Sequence, residues 1–201
     1  SIPTEGKATP ASLTFTAAFW NVAQTVTVTG MDDAIDDGDI NYAIMTQAAT
    51  STDPLYSGMN AADAAVRNLD DDTAGIIVTP TVGLVTTEAG GSATFTVRLT
   101  SRPRANVVIP VTSSLAAEGT VAVASLTFTA VTWNVPQAVT VTGVNDFVQD
   151  GDIAYQVVLA AATSTDPLYS GRNPADVSVT NTDNDVAGVT VSPTAGLVTT
   201  E

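Results

Sequence analysis

The chain has 201 residues, and its 21 acidic residues outnumber 6 basic ones to give a net charge of −15. Binding to phosphate needs a basic surface, so this charge excludes nucleic acid as a partner and argues against anionic membrane surfaces. The sequence contains no Cys and no His, which excludes disulfides, thiolate nucleophiles, Ser–His pairs and imidazole ligands. We therefore expect no enzymatic activity, and no membrane insertion by this segment, because no apolar run approaches about 18 residues.

A fixed repeat organises the chain. Residues 1–88 align with residues 114–201 without a gap, at a shift of 113 residues, and 54 of the 88 pairs are identical. A unit of this length can bury its own core, so we expect separate domains rather than a solenoid. The boundaries place the end of one repeat (strands D to G) at 1–74, a complete repeat at 75–187 and the first strand of a third at 188–201. We expect the natural protein to extend beyond both ends of this segment.

Taken in chain order, the complete repeat contains seven stretches of alternating apolar and polar residues, which predict seven strands. They are named A to G and lie at 76–86, 92–100, 106–113, 125–130, 137–144, 153–161 and 175–182. In strand B, for example, Phe95, Val97 and Leu99 share one face, and Thr94 and Thr96 share the other. Seven short strands within about 110 residues are typical of an all-β, antiparallel, immunoglobulin-like sandwich.

The acidic residues of this repeat fall in loops that meet at one end of such a sandwich. Because antiparallel neighbours alternate in direction, loops A–B, C–D and E–F and the end of strand G all lie on the same side. The candidate ligands there are Glu88, Glu118, Asn145, Asp146, Asp150, Asp152, Asp183 and Asp185, while the opposite loops carry Arg102, Arg104 and Arg172. Clustered carboxylates repel one another, and calcium relieves this by taking about 6–8 oxygen ligands. The alternative is that these are solvated turn residues.

The preceding repeat provides an internal comparison for these positions. Its corresponding metal-ligand candidates are Glu5, Asp32, Asp33, Asp37, Asp39, Asp70 and Asp72. Asp36 and Asp71 are not kept, since Gln149 and Asn184 stand at the corresponding positions. We therefore rank Asp36 and Asp71 below the others as ligands.

Three segments of the complete repeat carry a resemblance to a known family. They are TTEAGGSATFTVRLT from residue 86, SLTFTAVTWNVPQAVTVTGVND from residue 125, and TNTDND from residue 180. They resemble the Calx-β domain of sodium–calcium exchangers and, more closely, of large bacterial surface proteins. The resemblance implies a seven-stranded sandwich that binds calcium at its distal loops. The residues that match the family's acidic positions are Glu88, Glu118, Asp146, Asp150, Asp183 and Asp185. Asn145 replaces an acid usual in the family, which implies one or two ions.

Two aromatic positions leave other interpretations open. The segment STDPLYSG occurs at 51–58 and 164–171, and it contains Tyr56 and Tyr169. A structural hairpin, in which Asp-Pro sets the turn and Tyr packs over it, is favoured over a ligand platform. For Trp20 and Trp133 a position that closes the end of the sandwich is favoured over a sugar-stacking role.

The pattern as a whole predicts a structural or adhesive array of extracellular, secreted repeats, stiffened by calcium near the junctions. Its partners would be neighbouring repeats of the same or like chains, and cell-surface glycans or proteins in an adhesin-like role. One alternative is a filament subunit, in which residues such as 188–201 pair with a neighbouring chain. Another is a carbohydrate- or receptor-binding module that depends on Trp133 or Tyr169.

Overall fold

The computed structural model describes all 201 residues and contains strands but no helices. The chain divides into two compact units, Ser1–Ala74 and Gly75–Glu201. No helix that could cross a membrane is present. The strands of the first unit are β1 (Gly6–Thr9), β2 (Thr27–Gly30), β3 (Ile40–Ile44) and β4 (Ala64–Asn68). Those of the second are β5 (Ile76–Thr79), β6 (Leu84–Thr87), β7 (Ser92–Leu99), β8 (Val107–Ser113), β9 (Gly119–Val121), β10 (Ser125–Phe128), β11 (Gln137–Gly143), β12 (Ile153–Leu159) and β13 (Val177–Thr182).

The second unit is an immunoglobulin-like β-sandwich. One sheet has five strands in the order β10-β8-β12-β13-β6, and the other has four in the order β5-β7-β11-β9. Neighbouring strands run antiparallel, except that β6 runs parallel to β13. The all-β sandwich predicted from the alternating strands is thereby confirmed.

Alternating side chains of both sheets form the core of this sandwich. On β7, Phe95, Val97 and Leu99 are at most 1% exposed, and Val157 and Leu159 on β12 are fully buried. The period of two in a strand sends these residues to one face and the threonines between them to the other. Each fully buried side chain of this size stabilises the fold by about 1.5–3 kcal/mol.

Two details differ from the predicted strands. The predicted strand A, 76–86, forms two strands, because β5 pairs with β7 in one sheet and β6 pairs with β13 in the other. Pro80 lacks the N–H needed to continue the ladder, and Gly83 has a φ of +80°, which lets the chain turn between the sheets. The short strand β9 lies in the predicted C–D loop and pairs with β11; three residues are too few to show an alternation in sequence.

The first unit consists of two hairpin-like pairs, β1 with β2 and β3 with β4. Its copy of the predicted strand D, at 12–17, forms no strand. Leu13 and Phe15 there are 39% and 55% exposed, whereas the corresponding Leu126 and Phe128 of β10 are 4% and 0% exposed. In the second unit β10 pairs with β8, and the first unit has no strand equivalent to β8. Residues 188–201 likewise form no strand, so the third repeat stays a prediction.

Candidate metal centre

The acidic side chains of the second unit lie where four elements reach one end of the sandwich, called here the acidic pole. Glu88 follows β6, Glu118 precedes β9, Asp146 and Asp150 follow β11, and Asp185 follows β13. Hydrogen bonds between backbones join these elements at this end, since Glu88 N donates to Thr182 O and Val144 N donates to Glu118 O, at 3.1 and 3.0 Å. The topology therefore gathers residues that are up to 97 positions apart in sequence.

The carboxylates of the acidic pole form two groups. Glu88, Asp146 and Asp185 form one, and Glu118, Asp146 and Asp150 form the other. Within each group the ligand oxygens lie within 4.8 Å of one another. Two oxygens on one calcium ion, each about 2.3–2.6 Å from it, are at most about 5 Å apart. Each group therefore has the spacing of a calcium ligand set, and Asp146 belongs to both.

The burial of these groups fits a cation. Glu88 and Glu118 are only 4% and 6% exposed, and burying an ionised carboxylate without a compensating charge is costly. Asp185 Oδ2 is buried and has no hydrogen-bond partner. A buried acceptor without a partner costs about 1–3 kcal/mol or more, and a bound cation would remove that cost. The residues present therefore fit calcium, with Glu88, Asp146 and Asp185 around one position and Glu118 and Asp150 around the other.

The charges at this pole change the protonation of Glu88. The strongest single influence on its pKa is a hydrogen bond of 3.1 Å from the backbone N–H of Asn184, which lowers it. Burial and the negative charges of three neighbouring aspartates outweigh that bond, so the pKa of Glu88 is raised overall. Mutual repulsion of this kind is what a divalent cation relieves.

Three predicted ligands lie outside the two groups, and two of these act as structural acceptors. Asp183 accepts hydrogen bonds from the backbone N–H groups of Asp185, at 2.6 Å, and Gly151, at 2.8 Å. These two bonds, in that order, lower the pKa of Asp183. Asp152 Oδ1 accepts from the N–H of Asp183 at 3.1 Å. The third, Asn145, lies at a longer distance from its partner, since its Oδ1 accepts from the side-chain Nδ2 of Asn184 at 3.5 Å. Asp183 and Asp152 thus tie the loop after β11 to the chain after β13.

Asn181 is a residue of this pole that the sequence analysis did not select. It is 1% exposed, and its Nδ2 donates to Glu118 Oε2 at 3.2 Å and to Val144 O at 3.1 Å. Its Oδ1 accepts from the hydroxyl of Thr86 at 3.0 Å. The side chain therefore holds Glu118 in place from inside the sandwich. The sequence feature that could have identified it is a polar Asn at a core-facing position of a strand, which occurs as Asn68 in the other copy.

A strained turn positions Asp146. Asp146 Oδ1 accepts from the N–H of Val148 at 2.7 Å, which closes a local turn. Between them Phe147 has a φ of +74°, the one non-glycine residue with a positive φ, and its side chain is 83% exposed. A bulky residue in this backbone region is an outlier, and such strain is often found where a loop must present a functional group.

The first unit repeats the structural acceptors of this arrangement. Asp70 accepts from the N–H groups of Gly38, at 2.6 Å, and Asp72, at 2.9 Å, as Asp183 does in the second unit. The N–H of Asp72, that of Gly38 and also that of Asp37 lower the pKa of Asp70. Asp39 accepts from the N–H of Asp70 at 3.0 Å. Asp39 also forms an ion pair with Arg67, and Asp33 accepts from the N–H groups of two following loop residues.

The carboxylates of the first unit are grouped differently. Asp32, Asp71 and Asp72 have ligand oxygens within 4.8 Å of one another. Burial, followed by the charges of the surrounding aspartates, raises the pKa of Asp72. Glu5 lies at the same pole and accepts from Asn68 Nδ2 at 3.2 Å, as Glu118 does from Asn181. Asp71, ranked low in sequence, is thus a member of the group.

The second copy of STDPLYSG is a structural hairpin. Tyr169 is fully buried, and its hydroxyl donates to Ser101 O at 2.6 Å and accepts from Ser101 N at 3.2 Å. Asp166 is 3% exposed and accepts from the N–H groups of Arg104, at 2.7 Å, and Leu168, at 3.0 Å. The Tyr169 ring is therefore not available to a ligand in this structure. Trp133 is half-buried.

Comparison with known proteins gives only partial similarities. No family model matches the chain, and no curated protein matches it. Among solved structures, the apo-form Calx CBD1 domain has a TM-score of 0.42 and 15% identity over 57% of this chain and 100% of that domain. The periplasmic chaperone SfaE has a TM-score of 0.43 and 10% identity over 59% of this chain, and the match spans only 61% of SfaE. Domains 4 and 5 of the S-layer protein SbsC have a TM-score of 0.34 and 14% identity over 89% of this chain and 97% of that one.

Proposed function

We propose that this chain is an extracellular structural repeat protein whose acidic poles bind calcium. The observation that carries the proposal is the pair of carboxylate groups sharing Asp146, together with the buried, unpartnered Asp185 Oδ2. Calcium would supply the positive charge that these groups lack. Extracellular modules bind calcium at about 10⁻⁴–10⁻³ M, which suits loops that keep part of their ligand set exposed.

The arrangement supports a stiffening role rather than catalysis. The proposed ligands come from the loop after β6, the segment before β9, the loop after β11 and the chain after β13. Asp185 lies on the chain that leaves the domain, so a shared ion would hold this chain against the sandwich. The backbone N–H of Asp185 already donates to Asp183. The cation would add a bond to Asp185 Oδ2, which has no hydrogen-bond partner.

A thermal melt of the 201-residue chain in calcium and in excess chelator tests this proposal. Trp20→Phe leaves Trp133 as the only tryptophan, so its fluorescence reports unfolding of the second unit alone. A ligand at about 100 times its dissociation constant stabilises the folded state by about 2.7 kcal/mol. We expect calcium to raise the midpoint, and Asp146→Asn to remove most of that rise because both groups lose a charged ligand.

Asp176→Asn is the matched control. Asp176 precedes β13, at the opposite end from Asp185, and accepts a hydrogen bond from the N–H of Leu159 at 3.0 Å. Asn keeps an oxygen for that bond and removes one negative charge, as Asp146→Asn does. The rise in the melting midpoint with calcium should therefore be the same as in the parent chain. An unchanged melt in calcium, with no heat of binding by calorimetry, would reject the proposal.

A further inference from the structure

Four buried polar side chains of the second unit form a connected network behind the acidic pole. They are Tyr155 of β12, Thr86 of β6, Asn181 of β13, and Glu118 before β9, and each is at most 6% exposed. The Thr86 hydroxyl lies 3.2 Å from the Tyr155 hydroxyl and donates to Asn181 Oδ1 at 3.0 Å. Asn181 Nδ2 in turn donates to Glu118 Oε2 at 3.2 Å. The network therefore runs from the core of the sandwich to a carboxylate of the candidate metal centre.

The hydrogen bonds of this network all point in one direction. Thr86 has a single hydroxyl proton, which it gives to Asn181, so Tyr155 must be the donor to Thr86 Oγ1. The amide of Asn181 is fixed because its Nδ2 faces two acceptors, Glu118 Oε2 and Val144 O. Hydrogen bonds linked in this way polarise one another. The network therefore strengthens the donor that Asn181 presents to the Glu118 carboxylate.

Two glycines leave the space that the network occupies. A Cβ atom on Gly119 would overlap the Tyr155 hydroxyl, and one on Gly143 would overlap Asn181 Oδ1. The polar ends of Tyr155 and Asn181 therefore lie directly against backbone, which restricts the positions that they can adopt.

The first unit contains the same arrangement at the corresponding residues. Asn68 Nδ2 donates to Glu5 Oε2 at 3.2 Å and to Met31 O at 3.1 Å. A Cβ atom on Gly6 would overlap the Tyr42 hydroxyl, as one on Gly119 would overlap that of Tyr155. The contact between the amide and the glutamate is thus a property of the repeat rather than of one loop.

Glu118 is the one buried member of its carboxylate group, since Asp146 and Asp150 are exposed. A carboxylate can turn either of its oxygens towards an ion. The hydrogen bond from Asn181 holds Glu118 Oε2, and Oε1 is the oxygen that does not receive this bond. A ligand that is already oriented loses less side-chain freedom when the ion binds.

We infer that Asn181 is a positioning residue for calcium, which holds Glu118 Oε2 and so directs Oε1 to the ion that Glu118 shares with Asp146 and Asp150. This inference rests on the proposed calcium binding. An amide suits the task because it donates a hydrogen bond without adding charge. Aspartate has nearly the same shape, but it would place a second negative charge against Glu118.

Calorimetric titration of the folded chain with calcium tests this role. Asn181→Ala should weaken binding at the position that contains Glu118 by at least about tenfold, because the carboxylate is no longer held. Tyr169→Phe is the control, since it also removes a buried hydrogen-bonding group, one that contacts Ser101. Both changes should lower the stability of the fold, but Tyr169→Phe should leave the calcium affinity within about twofold. Unchanged affinity in Asn181→Ala overturns the inference.

A double substitution shows whether Asn181 acts through Glu118. Glu118→Gln removes the charge on which Asn181 is inferred to act. In that background Asn181→Ala should cause no further loss of calcium affinity, although it should still lower the stability of the fold. A further loss of affinity as large as that in the parent overturns the inference.

Thr86→Val and Thr86→Ser test the same role without changing Asn181. Valine has nearly the shape of threonine but lacks the hydroxyl that donates to Asn181 Oδ1, so Thr86→Val should weaken calcium binding by about threefold or more. Thr86→Ser keeps the hydroxyl and should bind calcium within about twofold of the parent. Equal affinities of the two variants overturn the inference and leave the proposed function. If the parent chain itself binds no calcium, the proposed function is rejected together with the inference.

Discussion

Gln149 Oε1 accepts a hydrogen bond of 2.6 Å from the backbone N–H of Ala187. In the other copy of the repeat, Asp36 Oδ2 accepts from the N–H of Ala74 at 2.8 Å. The two side chains differ in length and charge, but both end in an oxygen that can accept. The position is therefore kept for its acceptor rather than for its charge, and it ties the loop after β11 to the chain that leaves the domain.

Replacing Gln149 with Ala should loosen the chain after β13. The loss of one hydrogen bond of this kind costs about 0.5–1.5 kcal/mol, so exchange of the Ala187 amide with deuterium should become about two- to tenfold faster. Gln149→Glu keeps the acceptor and should restore slow exchange. If Gln149→Ala leaves the amide unchanged, the bond does not hold this segment.

Tyr169 and Tyr56 provide a matched pair for testing the hairpin interpretation. Tyr169→Phe removes the hydroxyl that Ser101 N and Ser101 O contact in the core, which should lower the free energy of unfolding by about 1–3 kcal/mol. Tyr56 is 56% exposed, so Tyr56→Phe should change it by less than about 0.5 kcal/mol. Urea denaturation measures both. Unchanged calcium binding in both variants is expected, and a loss in Tyr169→Phe alone would contradict a purely structural role.

The backbone at Phe147 predicts that a smaller residue is more stable there. A φ of +74° strains any residue with a Cβ atom but not glycine. The Phe147 ring is 83% exposed, so its removal loses little packing. Phe147→Gly should therefore raise the free energy of unfolding by about 0.5–1 kcal/mol. Val148→Gly, at a neighbour without a positive φ, should instead lower it through chain entropy. Destabilisation by both changes would show that the ring makes contacts that stabilise the loop.

Much of this arrangement was predictable because consecutive antiparallel strands alternate in direction. The alternating side chains of β7 and β12 locate the core, and antiparallel order then brings Glu88, Asp146 and Asp185 to one end. This ordering needs only local pattern, so it could be read from the sequence. The sequence does not predict the break of strand A, because a run of strand-forming residues continues on both sides of Pro80.

Within the candidate site, sequence could not separate ligands from structural acceptors. Asp183 and Asp185 are two residues apart in the same motif, yet Asp183 accepts two backbone N–H groups while Asp185 Oδ2 has no partner. Asp and Asn serve both purposes through the same oxygens. Only the direction in which each side chain points distinguishes them, and Asp183 points to the N–H of Gly151.

Stability in the absence of calcium should depend on pH with opposite signs at two residues. The folded-state pKa of Asp183 is lowered, so its contribution is present above the ordinary aspartate value of about 3.9 and is lost as pH falls through the folded value. The pKa of Glu88 is raised, so its ionisation destabilises the fold at neutral pH and this effect disappears in acid.

Urea denaturation in chelator over a series of pH values tests these signs. At neutral pH, Asp183→Asn should be less stable than the parent, with a smaller loss of stability as the solution is acidified. Glu88→Gln should be more stable than the parent at neutral pH, and the difference should shrink in acid. If both variants were more stable than the parent at neutral pH, or both less stable, the assignment of the two side chains to opposite roles would be wrong.

For the proposed calcium site, the charges of the two carboxylate groups predict the number of ions. Together they contain five carboxylates, Glu88, Glu118, Asp146, Asp150 and Asp185, so one calcium ion leaves three negative charges and two ions leave one. The smaller residual repulsion favours two ions in the second unit, bridged by Asp146. Each ion should then depend on a different side chain.

Glu118→Gln and Asp185→Asn separate these positions. Each should lower the calcium stoichiometry of the second unit by one in equilibrium dialysis, and Asp146→Asn should weaken both ions, since its carboxylate belongs to both groups. Asp176→Asn, which removes one charge at the opposite end, should leave the stoichiometry unchanged. If Glu118→Gln and Asp185→Asn together remove no more calcium than either does alone, the two groups hold a single ion.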